Sequence, residues 1–299
     1  MKNPFSIGSI TKIYKKTSIW GKVLIFTMLI VLVVIIFKNN KKGIEGFELT
    51  NEFNIKVGDN VYDDFYSNIY DYLVFKDLTN VYEVGNLLNK TGPASQSIIL
   101  DVGAGTGDNV ADLAKQGYKI LGIDKSPSLI KKAKQKYPQY DYQISDSLNA
   151  MEFQANSYTH ILCLYLTIYE IKNKAAFFSN CMRWLMPGGY LILQLVDRNS
   201  LNLNKPVETN PLSILTTKPV DFKYETKFKL NKENDTALFE EKITTKDGKV
   251  RKNERTFYIE DKEDIIQIAQ EAGFQLYGSG EIKQSQYGFQ YTYILTKPN

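Results

Sequence analysis

The stretch Ile98-Ile99-Leu100-Asp101-Val102-Gly103-Ala104-Gly105-Thr106-Gly107 decides the fold of this chain. A short apolar run leads directly into three glycines at alternate positions. The run reads as a buried strand, and the glycines as a turn where backbone approaches another group closely. Residues 107–116 then follow helical spacing, so the unit is strand, tight loop, helix.

Outward from this unit the alternation continues. Residues 118–123 read as a second strand and 126–137 as a lysine-rich helix, with Ser126 as N-cap and Pro127 as first helical residue. A third strand is expected at 140–144, a continuous buried-type run at 158–166 and a helix at 172–185. Pro187-Gly188-Gly189 reads as a turn into a strand at 190–196. Apolar strands separated by helices predict an α/β fold whose mostly parallel sheet is covered on both faces. Polar and apolar residues then alternate over 222–230, 237–245 and 250–259, with a hairpin signal at Lys246-Asp247-Gly248-Lys249. Residues 222–259 are therefore expected to form an antiparallel insert. A helix at 261–272 and a strand pair at 274–282 and 288–296 complete the pattern.

The N-terminal part differs in kind. A basic segment, 1–18, precedes an apolar stretch, 19–37, interrupted only near its edge by Lys22. At ~1.5 Å per residue a helix of that length spans most of a ~30 Å hydrocarbon core, which predicts one transmembrane helix embedded in a lipid bilayer. The lysines that follow offer no small-residue cleavage site of the kind a secretory signal needs. Residues 38–58 read as a linker, and 59–299 as the folded domain.

The formal charge of +4 conceals an asymmetry. Eight lysines and no acid lie in the first 43 residues, leaving 29 basic residues against 33 acids in the remainder. The basic charge flanks the apolar stretch and suits anionic lipid; it leaves no nucleic-acid footprint on the folded domain. Two cysteines, Cys163 and Cys181, make no disulfide framework, and with a single histidine they make a zinc site improbable. His160, early in a buried strand, is expected to be structural.

A glycine-rich turn alone would also serve a nicotinamide-dependent oxidoreductase. Three carboxylates narrow the choice. Asp108 occupies the position of a dinucleotide loop's third glycine and would oppose a pyrophosphate at the helix N-terminus. Asp101 ends the first strand, placed to meet a cationic amino group. Asp124 ends the second, where a carboxylate can accept both hydroxyls of a ribose.

On these residues the chain resembles the class I S-adenosylmethionine-dependent methyltransferases. The run 99–107 is similar to their first motif, Gly122-Ile123-Asp124-Lys125-Ser126 to their second, and Ser145-Asp146-Ser147 to the adenine-contacting position. Tyr158–Tyr165 and the turn Trp184–Leu191 are like their fourth strand and the entry to the fifth, and Glu271-Ala272-Gly273-Phe274 matches a late element. The segment holding Tyr62, Tyr66 and Tyr70 resembles a helix that covers the cofactor.

The resemblance implies a doubly wound, seven-stranded Rossmann-like sheet and S-adenosylmethionine as cofactor. Asp101 and Gly103 would hold its methionyl end, Asp124 its ribose and Asp146 its adenine amino group, with Ala104, Gly105, Gly107, Lys125 and Ser147 also among the cofactor-binding residues. The whole-chain pattern also resembles membrane-anchored methyltransferase-like proteins of large DNA viruses. Because this cofactor is made in the cytosol, the domain is expected to face it, although the lysines flanking the span differ by only one between its two sides. Thr159 stands where the family often has Asp, and Ile168-Tyr169 where it often has a histidine pair, so the catalytic group stays open among Tyr165, Tyr169 and Glu170. A small molecule, or a membrane-proximal lipid or protein, is the expected acceptor. The alternatives are a cofactor-binding module without transfer activity and an NAD(P)-dependent oxidoreductase.

Overall fold

The chain divides into two units, Met1–Glu52 and Phe53–Asn299. The computed structural model describes residues 17–22, 27–28, 53–73, 88–94, 96–201, 203–204, 222–282 and 290–299. In the first unit Ile19–Lys22 and Thr27–Met28 are helical. The rest of the expected span 19–37, and residues 38–52 after it, lie outside the described residues. Among the described residues no helix is long and apolar enough to cross a membrane.

The second unit opens with strand β1 (Phe53–Val57) and a 3-10 turn, Gly58–Val61, followed by helix α1 (Asp64–Ile69) and a second 3-10 turn, Tyr70–Tyr72. The linker expected over 38–58 thus ends too late. Residues 53–57 pair in parallel with a strand some two hundred positions away, a partner that local composition cannot reveal. Asp63 caps α1, its carboxylate accepting from the Tyr66 backbone N–H at 3.0 Å.

From residue 98 the expected alternation holds. Strand β2 (Ile98–Val102) leads into α2 (Asp108–Lys115), β3 (Lys119–Asp124) into α3 (Pro127–Lys136), and β4 (Asp141–Ile144) into a loop. Strand β5 (Tyr158–Cys163) is followed by the one-turn α4 (Thr167–Glu170), α5 (Lys174–Trp184) and β6 (Leu185–Val196). Ser126 caps α3 as expected. The Pro187-Gly188-Gly189 turn lies inside β6, where the register to β5 shifts between Tyr158 and His160; it irregularises the strand without ending it.

Strands β7 (Phe222–Asn231), β8 (Thr236–Thr245) and β9 (Val250–Tyr258) form the antiparallel insert. Helix α6 (Lys262–Glu271), β10 (Gln275–Ile282) and β11 (Gln290–Thr296) close the chain. The main sheet has seven strands in the order β10-β11-β6-β5-β2-β3-β4, parallel from β6 to β4, with β11 antiparallel to β6. The insert does not extend this sheet. It forms a second sheet of four strands, ordered β1-β9-β8-β7.

Two apolar layers result from strand periodicity. Leu100, Ile161, Leu191 and Leu193 pack in one cluster with α5, α6 and the insert; Ile99, Leu162 and Ile192 pack in the other with Val110 and Leu113 of α2. Neighbouring residues of one strand point to opposite faces, so a sheet covered on both sides needs apolar residues at nearly every position. The strand order reverses at β2: the chain runs to β3 and β4 on one side, then returns to β5 on the other. In such sheets the crevice beyond the carboxyl ends of the strands receives the ligand.

Candidate active site

A cavity of about 500 Å³ occupies that crevice. Its floor is the loop after β2, and Gly103, Ala104 and Gly105 line it. Gly103 has φ of +76°, and a Cβ there would come within 2.5 Å of the Thr167 side chain. Only glycine satisfies both conditions.

Asp124 lines the cavity from the end of β3. Its Oδ2 accepts from the Gly105 backbone N–H at 3.1 Å and its Oδ1 from that of Ser126 at 2.8 Å. Burial nonetheless pushes its carboxyl up to about 6. Lys125, paired with Asp59 at the rim, and Asp146 and Ser147 from the loop after β4 also line it. The Asp146 side chain accepts from the Leu148 backbone N–H at 2.9 Å.

Other expected site residues fall elsewhere. Asp101 is 1% exposed and does not line the cavity. Its Oδ2 is buried without a hydrogen-bond partner, and burial together with the Asp124 charge raises its carboxyl to about 7. Gly107 is also off the wall. A Cβ there would meet the Tyr142 hydroxyl at 2.6 Å, so this glycine serves packing. Of the three tyrosines, Tyr62 and Tyr70 line the cavity, but Tyr66 turns away and donates to Glu241 at 3.0 Å. The three do not act as one covering helix, because α1 is only six residues long and Tyr62 precedes it.

The catalytic candidates separate in the same way. Tyr169 is fully buried; its hydroxyl accepts from the Val196 backbone N–H at 2.9 Å, which makes it a packing residue. Tyr165 lines the cavity with φ of +56°, a conformation costly for a side chain with a Cβ. Gln194 accepts from its backbone N–H at 2.8 Å, and its hydroxyl donates to Asn109 at 2.7 Å. Its phenol is pushed above the usual range by burial. Glu170 lines the cavity, and Tyr62 donates a hydrogen bond to it. His160 is structural as expected: Thr159 and Thr91 hold its two ring nitrogens, and burial lowers it to about 4.

Sequence reading missed Arg255. This guanidinium, on β9, donates to the Tyr62 hydroxyl, to Glu170 at 3.3 Å, to the Tyr66 hydroxyl at 3.0 Å and to the fully buried Glu241 at 3.2 Å. Arg251, two rungs earlier, holds Asp63 through both carboxylate oxygens at 2.8 and 2.9 Å. The inner face of the insert thereby fixes the segment that carries Tyr62. Thr256 and Tyr258 of the same strand also line the cavity. The signal was present as polar residues at alternate positions 251, 253 and 255, but an interleaved polar strand reads as a solvated face.

The wall carries six carboxylates, Asp59, Asp71, Asp108, Asp124, Asp146 and Glu170, against two lysines, Lys125 and Lys172. That balance repels a pyrophosphate and suits a ligand of net positive charge. With the orphaned Asp101 oxygen and the glycine cradle, these residues fit S-adenosylmethionine, which carries a sulfonium and an ammonium against one carboxylate. Among the described residues no group of three or more metal-ligating side chains occurs.

Comparison with known proteins agrees. Residues 99–189 match the family model described as a methyltransferase domain. A protein of Invertebrate iridescent virus 6 that carries a provisional methyltransferase name is 28% identical over 123 residues, 40% of this chain and 45% of its own length. The demethylmenaquinone methyltransferase of Chlorobaculum tepidum is 33% identical over 106 residues, 34% of this chain and 43% of that protein. The chain thus spans less than half the length of these relatives. In three dimensions an S-adenosylmethionine-dependent methyltransferase from Clostridium acetobutylicum superposes with a TM-score of 0.61 at 15% identity, over 79% of this chain and 99% of that one. The glycine loop and the strands around it therefore match a methyltransferase domain, and the chain carries the fold of S-adenosylmethionine-dependent methyltransferases.

Proposed function

We propose that the chain transfers the methyl group of S-adenosylmethionine to a small molecule or to a membrane-proximal lipid or protein. The observation that carries this reading is the carboxylate-lined cavity over the glycine loop, within the stretch that matches the methyltransferase domain. The sulfonium supplies an already activated methyl group. What is left to the protein is to hold the donor, orient a nucleophile in line with the methyl and exclude water.

Asp124 would accept the ribose hydroxyls and Asp146 the adenine amino group. Asp101, set behind the loop, would supply a negative field to the cationic methionyl end. Tyr62 and Tyr70 form a roof that excludes water, held down by Arg255 and Arg251. Thr256 and Tyr258 bring the insert to the wall, so acceptor choice would reside there.

The apolar stretch 19–37 supports placing this activity at a membrane, with the domain on the cytosolic side where the cofactor is made. Protease protection of the intact protein in sealed vesicles tests the orientation: cleavage of the domain only after the membrane is opened from the other side would reverse it. Titration of the full chain with S-adenosylmethionine and with NAD(P) tests the cofactor, and tight nicotinamide binding alone would sink the proposal. Labelled-methyl transfer into a cell extract then separates an enzyme from a binding module.

A further inference from the structure

Glu170 occupies a distinct place in the cavity. Strands β4 and β5 stand on opposite sides of β2 and β3, so Asp146, after β4, and Glu170, just beyond β5, bound the cavity from opposite ends. Asp146 is at the adenine end of the proposed cofactor, which leaves Glu170 at the end where an acceptor enters. Its side chain is 22% exposed. Tyr62 and Arg255 both donate to Oε1. Among the described residues only Oε1 of this cavity-lining side chain receives a hydrogen bond, so Oε2 is the oxygen left to a ligand.

The neighbouring groups are poor alternatives for handling a proton. Tyr62, Tyr70 and Tyr165 are all pushed upward, chiefly by burial, and stay neutral phenols. Lys172 lies over the Tyr258 ring, 5.9 Å from its centroid, and carries a charge of the wrong sign. Asp59 is mostly exposed and paired with Lys125.

We propose that the free oxygen of Glu170 binds the acceptor's amino group and receives its proton, so that the acceptor is an amine. This rests on the methyltransferase reading above. A carboxylate attracts an ammonium strongly through a charge-assisted hydrogen bond. A neutral alcohol offers no such charge and yields its proton far less readily. In the transfer, one N–H proton of the ammonium passes to Glu170, which frees the nitrogen lone pair. The N–CH3 bond forms as the methyl–sulfur bond breaks, and the bonding electron pair stays on sulfur as a neutral thioether. The product is a methylated ammonium, and the proton on Glu170 leaves to solvent.

Calorimetry of the full chain with two probes tests this. S-adenosylhomocysteine has a neutral sulfur at the transfer point, whereas sinefungin carries a primary amine there. The wild-type chain is expected to bind sinefungin about tenfold more tightly near neutral pH, the scale of one charge-assisted hydrogen bond. Glu170→Gln should bring the two affinities within about twofold of each other. A preference that survives in Glu170→Gln overturns the inference. So does a wild-type chain that binds both nucleosides equally, a result that needs no folded variant. If the wild type binds neither, the cofactor reading itself falls, and this inference with it.

Discussion

Arg255 Nη1 lies 3.3 Å from Glu170 Oε1, so a residue of the four-stranded insert sheet touches a wall of the cavity built by the main sheet. The guanidinium is buried among Tyr62, Tyr66, Phe239 and Phe257, with each ring centroid between 5.2 and 5.6 Å from its central carbon. The insert, the segment carrying Tyr62 and Glu170 are thus one connected unit.

Replacing Arg255 should expose that dependence. Arg255→Met leaves Glu241 buried beside Tyr66 and Tyr224 with no cation, and breaking one side of a buried pair typically costs about 3–5 kcal/mol. Urea denaturation of the variant should show a loss of that order. A loss below about 1 kcal/mol would mean that water or a shifted side chain compensates the carboxylate.

Asp124→Ala should weaken S-adenosylmethionine binding by about 1–3 kcal/mol, the range for losing charge-assisted hydrogen bonds at a buried site. The variant also leaves the Gly105 and Ser126 N–H groups without their acceptor, so part of the effect comes through the loop. Titration calorimetry reads the change, and unchanged affinity removes Asp124 from the site.

Acidity should act in opposite directions on stability and on binding. Asp101 and Asp124 are raised to about 7 and about 6, above the ordinary range of an unfolded carboxylate near 4. A raised carboxyl stabilises the fold fully below its unfolded value, and that contribution is lost as pH rises through the folded value. The ligand-free chain should therefore melt at lower temperature at pH 8 than at pH 5, other groups being equal. Bound S-adenosylmethionine brings positive charge beside both carboxylates and should flatten the slope. Cofactor affinity should rise with pH through about 6, as Asp124 ionises. A melting temperature that climbs from pH 5 to 8 in the ligand-free chain would contradict this.

Gly103→Ala meets two obstacles, the left-handed backbone and the Thr167 side chain 2.5 Å from the new Cβ. Backbone strain alone costs about 1–3 kcal/mol. Differential scanning calorimetry should show the loss, and cofactor binding should weaken with it. Adding Thr167→Ala should recover the steric share and leave the backbone share; full recovery would show that φ at 103 relaxes.

Much of the main sheet was legible because its signal is local. Runs such as 98–102 and 161–166 are apolar at nearly every position, a pattern a doubly covered strand demands and an exposed one cannot use. The cap Ser126 acts within three residues of itself. Residues 53–57 were read as linker because the strand pairing them begins at Val250. Tyr66 and Tyr169 looked like site residues because their segments resemble a cofactor-covering helix and the stretch beyond the fourth strand, and position along the chain does not state which neighbour each side chain meets. Glu241 and Val196 answer that, and both are remote in sequence.

The sequence by itself determined the order of the main-sheet strands and of the longer helices between them, and the glycine loop, since each follows from short-range backbone preference and apolar periodicity. Only the tertiary structure decided which polar residues are clamped and which are free. Arg255 is drawn into the core because Glu241, Glu170 and two phenols replace the water it gives up. That compensation comes from β8, α4, α1 and the bend before α1, and it exists only once the two sheets have closed on each other.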